Sequence, residues 1–121
     1  MSSVLGGIAL LVALIGLQVG MRYWTTLRTR RAWEEAQIAM ARNDFESAAT
    51  SLDKTIKLMP LWTHARMIYG VVLSELGRLP EAEEQLKMAA QLQPKAPDGH
   101  IELGIFYLTT ANRPEDGIAS L

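Results

Sequence analysis

Two histidines and a small group of glutamates are the side chains in this sequence whose types could support chemistry. His64 and His100 have no third ligand type clustered beside them, and the chain contains no cysteine. Because a zinc site needs three or four ligands, we predict no metal site and treat both histidines as ordinary surface or groove residues. We expect Glu81, Glu83 and Glu84 in the first turn of a helix, where negative charge interacts favourably with the helix dipole. That position explains them without acid–base catalysis.

Sequence motifs for nucleophilic or phosphate chemistry are also lacking. No serine lies in a G-x-S-x-G turn, and no glycine-rich loop ends in Lys-Ser or Lys-Thr. We therefore predict a protein that is not an enzyme, with no catalytic residue, no metal and no cofactor.

The composition indicates one small folded domain with an attached anchor or tail. The chain has 121 residues, of which 49% are hydrophobic, and a formal net charge of −1. Its charge is unevenly distributed, since residues 22–42 carry five arginines and two glutamates, whereas residues 43–121 carry seven basic and eleven acidic residues. The arginine-rich segment directly follows the most hydrophobic run of the chain. We therefore expect it to contact membrane lipid, through anionic headgroups, and we predict no nucleic-acid partner.

The hydrophobic run Val4–Met21 contains no charged residue and has Gln18 as its only polar side chain. Its helical length of about 27 Å is close to the roughly 30 Å hydrocarbon core of a bilayer, and Tyr23 and Trp24 add an aromatic interface anchor. We predict a single uncleaved transmembrane helix within residues 1–24. A cleaved signal peptide and a buried helix of a soluble protein are the alternatives. However, no basic segment precedes the run, and no small-x-small cleavage site follows it.

The arginines beside the run predict its orientation. All four nearby arginines follow the run and none precedes it: Arg22, Arg28, Arg30 and Arg31. By the positive-inside rule, the N-terminus faces out and the rest of the chain is cytoplasmic. The sequence thus predicts a single-pass membrane protein.

Small residues recur along the predicted span at spacings of three and four, which places them on one face of a helix. These residues are Gly6, Ala9, Ala13, Gly16 and Gly20. Because small side chains let two helices approach closely, we interpret this face as a packing site for a transmembrane helix of another subunit. The alternative is that glycine and alanine are simply common in membrane helices.

The remainder of the chain repeats with a period of 34 residues. Pro60 and Pro94 are one period apart, and Ala36, Gly70 and Gly104 follow one another at the same interval. Each unit is predicted to contain two short helices joined by a tight turn. A 34-residue helix-turn-helix period is typical of tetratricopeptide repeats (TPR), and the chain therefore resembles the TPR family.

The resemblance covers residues 29–121 and implies an all-α fold, with one N-terminal transmembrane helix followed by a TPR array of about two and a half repeats. Within a TPR domain at residues 25–121, the repeats are predicted at about 29–62, 63–96 and 97–121, the last being incomplete. The family's bulky aromatic residue near each repeat start is replaced here by Ala32, Arg66 and His100.

The predicted helices are connected in two ways, by a continuous helix at the start of the repeats and by turns within them. Neither glycine nor proline occurs between Gly20 and Pro60, so we expect the membrane helix to continue into the first repeat helix. A break at one of the threonines 25, 26 or 29 is the alternative. Turns between repeat helices are expected at Arg42-Asn43-Asp44 and at Gly77, with Pro80 opening the helix that follows.

TPR arrays commonly hold a peptide or helix in a concave groove lined by the first helix of each repeat. By this resemblance, the groove residues are Trp33, Gln37, Met40, His64, Met67, Val71, Ile101, Ile105 and Leu108. The set is mostly apolar and lacks the lysines and asparagines with which some TPR domains hold acidic chaperone tails. The expected partner is therefore a protein that offers an amphipathic or apolar helix or segment. The alternative is that part of the set packs between repeats instead.

Two functions fit these features. One is a membrane-tethered scaffold or assembly factor that recruits a protein partner to the cytoplasmic membrane face. The other is a structural accessory subunit of a larger membrane complex. The small-residue face favours the second slightly, and the apolar groove suits both.

Overall fold

The fold consists of helices that each pack against the next along the chain. The structure, a computed structural model, describes residues 2–109, and in that range it contains five α-helices and no strand. They are α1 (Ser2–Ala41), α2 (Phe45–Leu58), α3 (Thr63–Glu75), α4 (Leu79–Leu92) and α5 (Pro97–Thr109). In addition to these neighbouring contacts, α3 touches α5. The predicted all-α class is confirmed, while residues 110–121 of the incomplete third repeat lie outside the described residues.

Helix α1 is 40 residues long and joins the predicted span to the first repeat without interruption. The hydroxyls of Thr25, Thr26 and Thr29 donate to the carbonyl oxygens of Met21, Arg22 and Thr25, each four residues earlier, at 2.8–2.9 Å. Since these hydroxyls are satisfied inside the helix, the threonines do not cap a new one. The continuous helix is therefore confirmed, and the alternative of a break at a threonine is wrong.

The turns inside the repeats have the chemistry that the sequence predicts. Asp44 caps α2, because its Oδ1 accepts a hydrogen bond from the backbone N of Ser47 at 3.2 Å. Asn43 has a φ of 56° and Gly77 a φ of 76°. Glycine adopts this left-handed conformation without steric cost, and asparagine tolerates it better than most residues. Pro80 lies in the first turn of α4, where a missing N–H removes no helical hydrogen bond.

Small residues allow the paired helices to approach closely. A Cβ at Gly70 of α3 would lie 2.7 Å from Cγ of Leu86 and 3.3 Å from the carbonyl oxygen of Ala82, both on α4. Ala36 and Ala82 are fully buried, and Gly104 is buried at the equivalent position of the third repeat. The absence of a side chain at Gly70 thus allows the two helices of the second repeat to approach closely.

A hydrophobic core runs through the described part of the repeats. Its largest fully buried side chains are Leu52, Thr55, Val72, Leu73 and Leu86. Full burial of an aliphatic side chain of this size stabilises a fold by about 1.5–3 kcal/mol. The single hydroxyl in this group is satisfied, since Thr55 donates to the carbonyl oxygen of Ser51 at 2.9 Å. The array is thus stabilised mainly by apolar contacts between successive helices.

An arginine is buried where the family usually places an aromatic residue. Arg66 is only 8% exposed, and its guanidinium donates to the carbonyl oxygen of Pro60 at 2.7 Å and to Oε1 of Gln85 at 2.9 Å. One period later, Nε2 of His100 lies 3.0 Å from the carbonyl oxygen of Pro94. The two side chains that replace the family's aromatic residue therefore each connect the start of a repeat helix to the proline-containing loop before it.

Candidate partner-binding surfaces

A shallow apolar cavity lies between α3 and α5, where the predicted groove passes from the second repeat to the third. Its volume is about 260 Å³, and its lining residues are His64, Met67, Ile68, Val71, Asp98, Ile101 and Glu102. Four of the nine predicted groove residues thus lie together here. Ile68, Asp98 and Glu102 complete the lining and are not among the nine, although Ile68 and Glu102 follow His64 and Asp98 by four residues, which indicates neighbouring positions on one helix face.

The apolar side chains along this surface are accessible to solvent. The exposed fractions are 38% for Val71, 42% for Ile101, 45% for Ile105 and 43% for Leu108. On α5, Ile105 and Leu108 follow Ile101 by four and seven residues, which places all three on one side of the helix. Contiguous exposed apolar side chains are typical of interaction sites.

The first-repeat residues of the predicted groove have mixed surroundings. The ring of Trp33 lies 4.8 Å from the ring of Trp62 and 5.7 Å from that of His64, measured between centroids. Gln37 is exposed, whereas Met40 is half-buried against the hydrophobic core. Trp33 therefore joins the His64 end of the groove, and Met40 takes part in packing, which the alternative interpretation allows for part of the set.

Two carboxylates flank the apolar surface on α5. Asp98 and Glu102 line the same cavity as Met67 and Ile101. Neither carboxylate has an ion-pair partner among residues 2–109. The groove thus combines an apolar floor with negative charge at its edge.

A larger apolar cavity lies where α1 leaves the predicted span. Its volume is about 740 Å³, and its walls are Met21, Arg22, Thr25, Thr26, Thr29, Arg30, Trp33, Met59 and Trp62. It connects α1 to the loop between α2 and α3. Sequence reasoning missed this cavity because its two walls come from segments far apart in the chain, which only the folded hairpin of α1 and α2 brings together.

The predicted span is uncovered along its small-residue face. A Cβ added at Gly6, Gly16 or Gly20 would meet no atom within 4 Å, and Ala9 and Ala13 are exposed. This part of α1 is long and apolar enough to cross a bilayer, with a mean hydropathy of 2.3.

The two histidines lie in different surroundings. His64 contacts the ring of Trp33, whereas His100 lies against the carbonyl oxygen of Pro94. Within residues 2–109, no three histidine, aspartate or glutamate side chains come together as a potential metal site.

Comparison with known proteins identifies the fold. No protein-family model matches the chain, and no curated protein matches its sequence. Among solved structures, it is similar to MamA AMB-1, a TPR-like protein, with a TM-score of 0.67 and 24% sequence identity. The match covers 76% of this chain and 50% of the MamA chain, so the present chain spans about half the length of that neighbour. At this level of identity the likeness concerns the fold alone, and the five described helices have a TPR-type fold.

Proposed function

We propose that this protein is a membrane-tethered interaction scaffold whose groove binds an amphipathic or apolar helix of a protein partner. The observation that carries the proposal is the row of exposed apolar side chains on α5, Ile101, Ile105 and Leu108, beside Val71 on α3. Their spacing matches the i, i+4, i+7 pattern by which one helix receives another. A partner helix seated there removes these side chains from water, which supplies the main driving force for binding.

The carboxylates at the groove edge favour a partner segment that carries basic residues. Asp98 and Glu102 present carboxylates without an ion-pair partner in the described part of the chain. A basic residue beside the apolar face of a partner helix complements them, whereas an acidic one is repelled. Met67 adds a flexible thioether to the apolar floor and adapts to side chains of different shapes. The proposed partner segment is therefore amphipathic with a basic edge.

The proposed tether is the first half of α1. Its apolar side chains from Val4 to Val19 are about half or more exposed, as lipid-facing residues must be. The arginines after the run favour a cytoplasmic location for the repeats. Because α1 continues into the first repeat without a flexible linker, the groove is held near the membrane, and a partner bound there is concentrated at the membrane surface.

The test is a double substitution in the groove, Met67→Glu with Ile101→Glu, in the full chain extracted in mild detergent. A carboxylate buried without a partner costs several kcal/mol, so capture of the natural partner, identified by mass spectrometry, should fall at least about tenfold. The matched control, Thr50→Glu with Gln91→Glu, adds the same charge at exposed positions of α2 and α4 and should leave capture unchanged. Circular dichroism establishes that both variants remain helical. Undiminished capture by a helical groove variant contradicts the proposal.

A second candidate function is that of a permanent accessory subunit in a membrane complex. The observation that favours it is the uncovered small-residue face of α1, where a second transmembrane helix fits closely. Ala13→Leu with Gly16→Leu should then release stoichiometric membrane partners while insertion is preserved. If the purified protein instead carries soluble clients in varying amounts, and these survive the two substitutions, the scaffold is favoured.

A further inference from the structure

The loop between α2 and α3, Met59-Pro60-Leu61-Trp62, presents large apolar side chains to solvent. Leu61 is 78% exposed, more than any other large hydrophobic residue in the described part of the chain, and Met59 is 45% exposed. We propose that this loop inserts into the headgroup layer of a bilayer that contains anionic phospholipid and forms a second membrane contact beside α1. The inference rests on the proposed membrane anchoring of α1 and adds to it a direct contact between the repeats and the membrane surface.

The apolar side chains of the loop between α2 and α3 can be compared with those of the corresponding loop in the next repeat. One period later, the loop between α4 and α5 reads Gln93-Pro94-Lys95-Ala96, with proline at the same place. Both proline carbonyls accept a contact from the side chain six residues later, Arg66 or His100. The same type of connection is thus made without apolar side chains at the positions of Met59 and Leu61. These two side chains are therefore not required to form the turn.

The end of α2 and the loop lie beside the segment of α1 that directly follows the predicted span. Met59 and Trp62 line one cavity with Met21 and Arg22, and Leu58 lines another with Met21 and Trp24. Leu58, next to the loop, lines this second cavity together with Arg28, which is seven residues and therefore about 10 Å beyond Met21 along the helix. The headgroup layer is roughly 5–8 Å deep on each side, and a usual helix tilt of about 20° brings a laterally displaced loop closer to it. The exposed Leu61 is thus within reach of the interface.

The charges around the loop complement an anionic membrane surface. Arg30 and Arg31 are paired with Glu34 and Glu35, but the guanidinium groups of Arg22 and Arg28 have no carboxylate partner among residues 2–109. Lys54, likewise unpaired in that range, lines a cleft with Arg28 and Leu58. Each basic residue near an anionic surface contributes attraction that decays within a Debye length. Apolar side chains flanked by unpaired cations are the combination by which peripheral segments hold membranes.

The absence of cysteine from the natural sequence allows a direct test by site-directed spin labelling. Single cysteines replace Leu61, Lys95 one period later, Arg42 at the opposite end of the first repeat, and Val12 in the span. Each labelled full chain is reconstituted in vesicles of phosphatidylcholine and phosphatidylglycerol. Relative accessibility to oxygen and to a water-soluble nickel chelate then gives the depth of each nitroxide. Labels at 12 and 61 should favour oxygen, and those at 42 and 95 should favour the chelate.

A second measurement leaves Leu61 unlabelled, so that the label does not replace the side chain under test. A nitroxide at Lys57→Cys, in the last turn of α2 and two residues before the loop, reports depth with the natural loop and with Met59→Gln plus Leu61→Lys, which reproduce the residues of the second loop. The substitutions should shift this label toward the chelate. The label at 12 could be shielded from the chelate while the label at 61 is as accessible to it as the label at 95. That result would contradict the proposed membrane contact of the loop and leave the proposed anchor intact. If the label at 12 is itself accessible to the chelate, the anchor fails and the proposed function fails with it.

Discussion

The distance between α3 and α4 depends on a missing side chain at Gly70. A Cβ at this position would overlap Cγ of Leu86, which is itself only 1% exposed and has little room to move. Close-packed interiors respond to even one added carbon, because the neighbours must leave their preferred rotamers. Gly70 therefore determines how tightly the second repeat closes.

Gly70→Ala should lower the melting temperature of the repeats. Overpacking costs about 1–3 kcal/mol, and the gain in helix propensity of roughly 1 kcal/mol offsets only part of it. Thermal unfolding followed by circular dichroism measures the difference. In a Leu86→Ala background the overlap is gone, so the same substitution should be neutral or stabilising. An equal loss of stability in both backgrounds would contradict this account.

The cap at Asp44 predicts a pH dependence of stability. Its hydrogen bond from Ser47 favours the ionised carboxylate and lowers the pKa of Asp44 below the ordinary value of 3.8. Because the folded pKa is the lower one, the contribution is complete above about pH 4 and is lost as the pH falls through the folded pKa. Asp44→Asn keeps an acceptor oxygen but does not titrate. Between about pH 5 and pH 3 its melting temperature should fall less than that of the natural chain, and equal falls would exclude the cap as the source.

Among the elements, α1 has the largest mechanical role because it belongs to the predicted span and to the first repeat together. Hydrogen bonds within one helix connect these two parts, and its threonines reinforce the helix rather than end it. A flexible linker between anchor and domain would leave the repeats free to rotate. Here the orientation of the first repeat follows that of the span.

Thr26→Pro should uncouple the two parts while leaving insertion intact. Proline removes a helical hydrogen bond and clashes with the preceding turn, at a cost of about 3 kcal/mol or more. Nitroxides at Leu10→Cys and Glu75→Cys measure the result by pulsed electron spin resonance. The distance distribution should be narrow in the natural chain and broad with proline. Thr26→Ala, which loses only the hydroxyl, should keep the narrow distribution, and a narrow distribution with proline would argue against a rigid connection.

The sequence predicts the elements more completely than the surfaces. Gly77 and Pro80 determine the local backbone conformation, and the 34-residue period indicates where each pair of helices lies. The helices and turns of the structure lie at these places. The burial of Arg66 depends on a proline carbonyl and a glutamine from another helix, so its residue type alone does not reveal it. The contact of Trp33 with Trp62 similarly needs the loop to fold back toward α1. Surface features of this kind depend on tertiary contacts between distant segments.

At the scale of the whole molecule, the position of the arginines predicts the topology of the chain in the membrane. A reporter that is active only in the cytoplasm, fused after Leu121, should be active, because short flanking segments follow the positive-inside bias. Changing the four arginines at 22, 28, 30 and 31 to lysine preserves the charge and should preserve the signal. Changing them to glutamine and adding arginines before Val4 should reduce it. Activity of a periplasmic or luminal reporter in the natural chain would reverse the predicted orientation.

In the proposed anchored state, the unbroken α1 also makes the position of the repeats depend on the tilt of the span. From Met21 to the end of α1 at Ala41, twenty residues extend about 30 Å. A change of about 20° in the tilt of the span swings the far end of this arm by roughly 10 Å. Membrane thickness governs tilt, because a hydrophobic segment leans to match the layer around it. The same protein would therefore present its groove at different heights and angles in thin and thick membranes, and the bilayer itself would select which partners reach it.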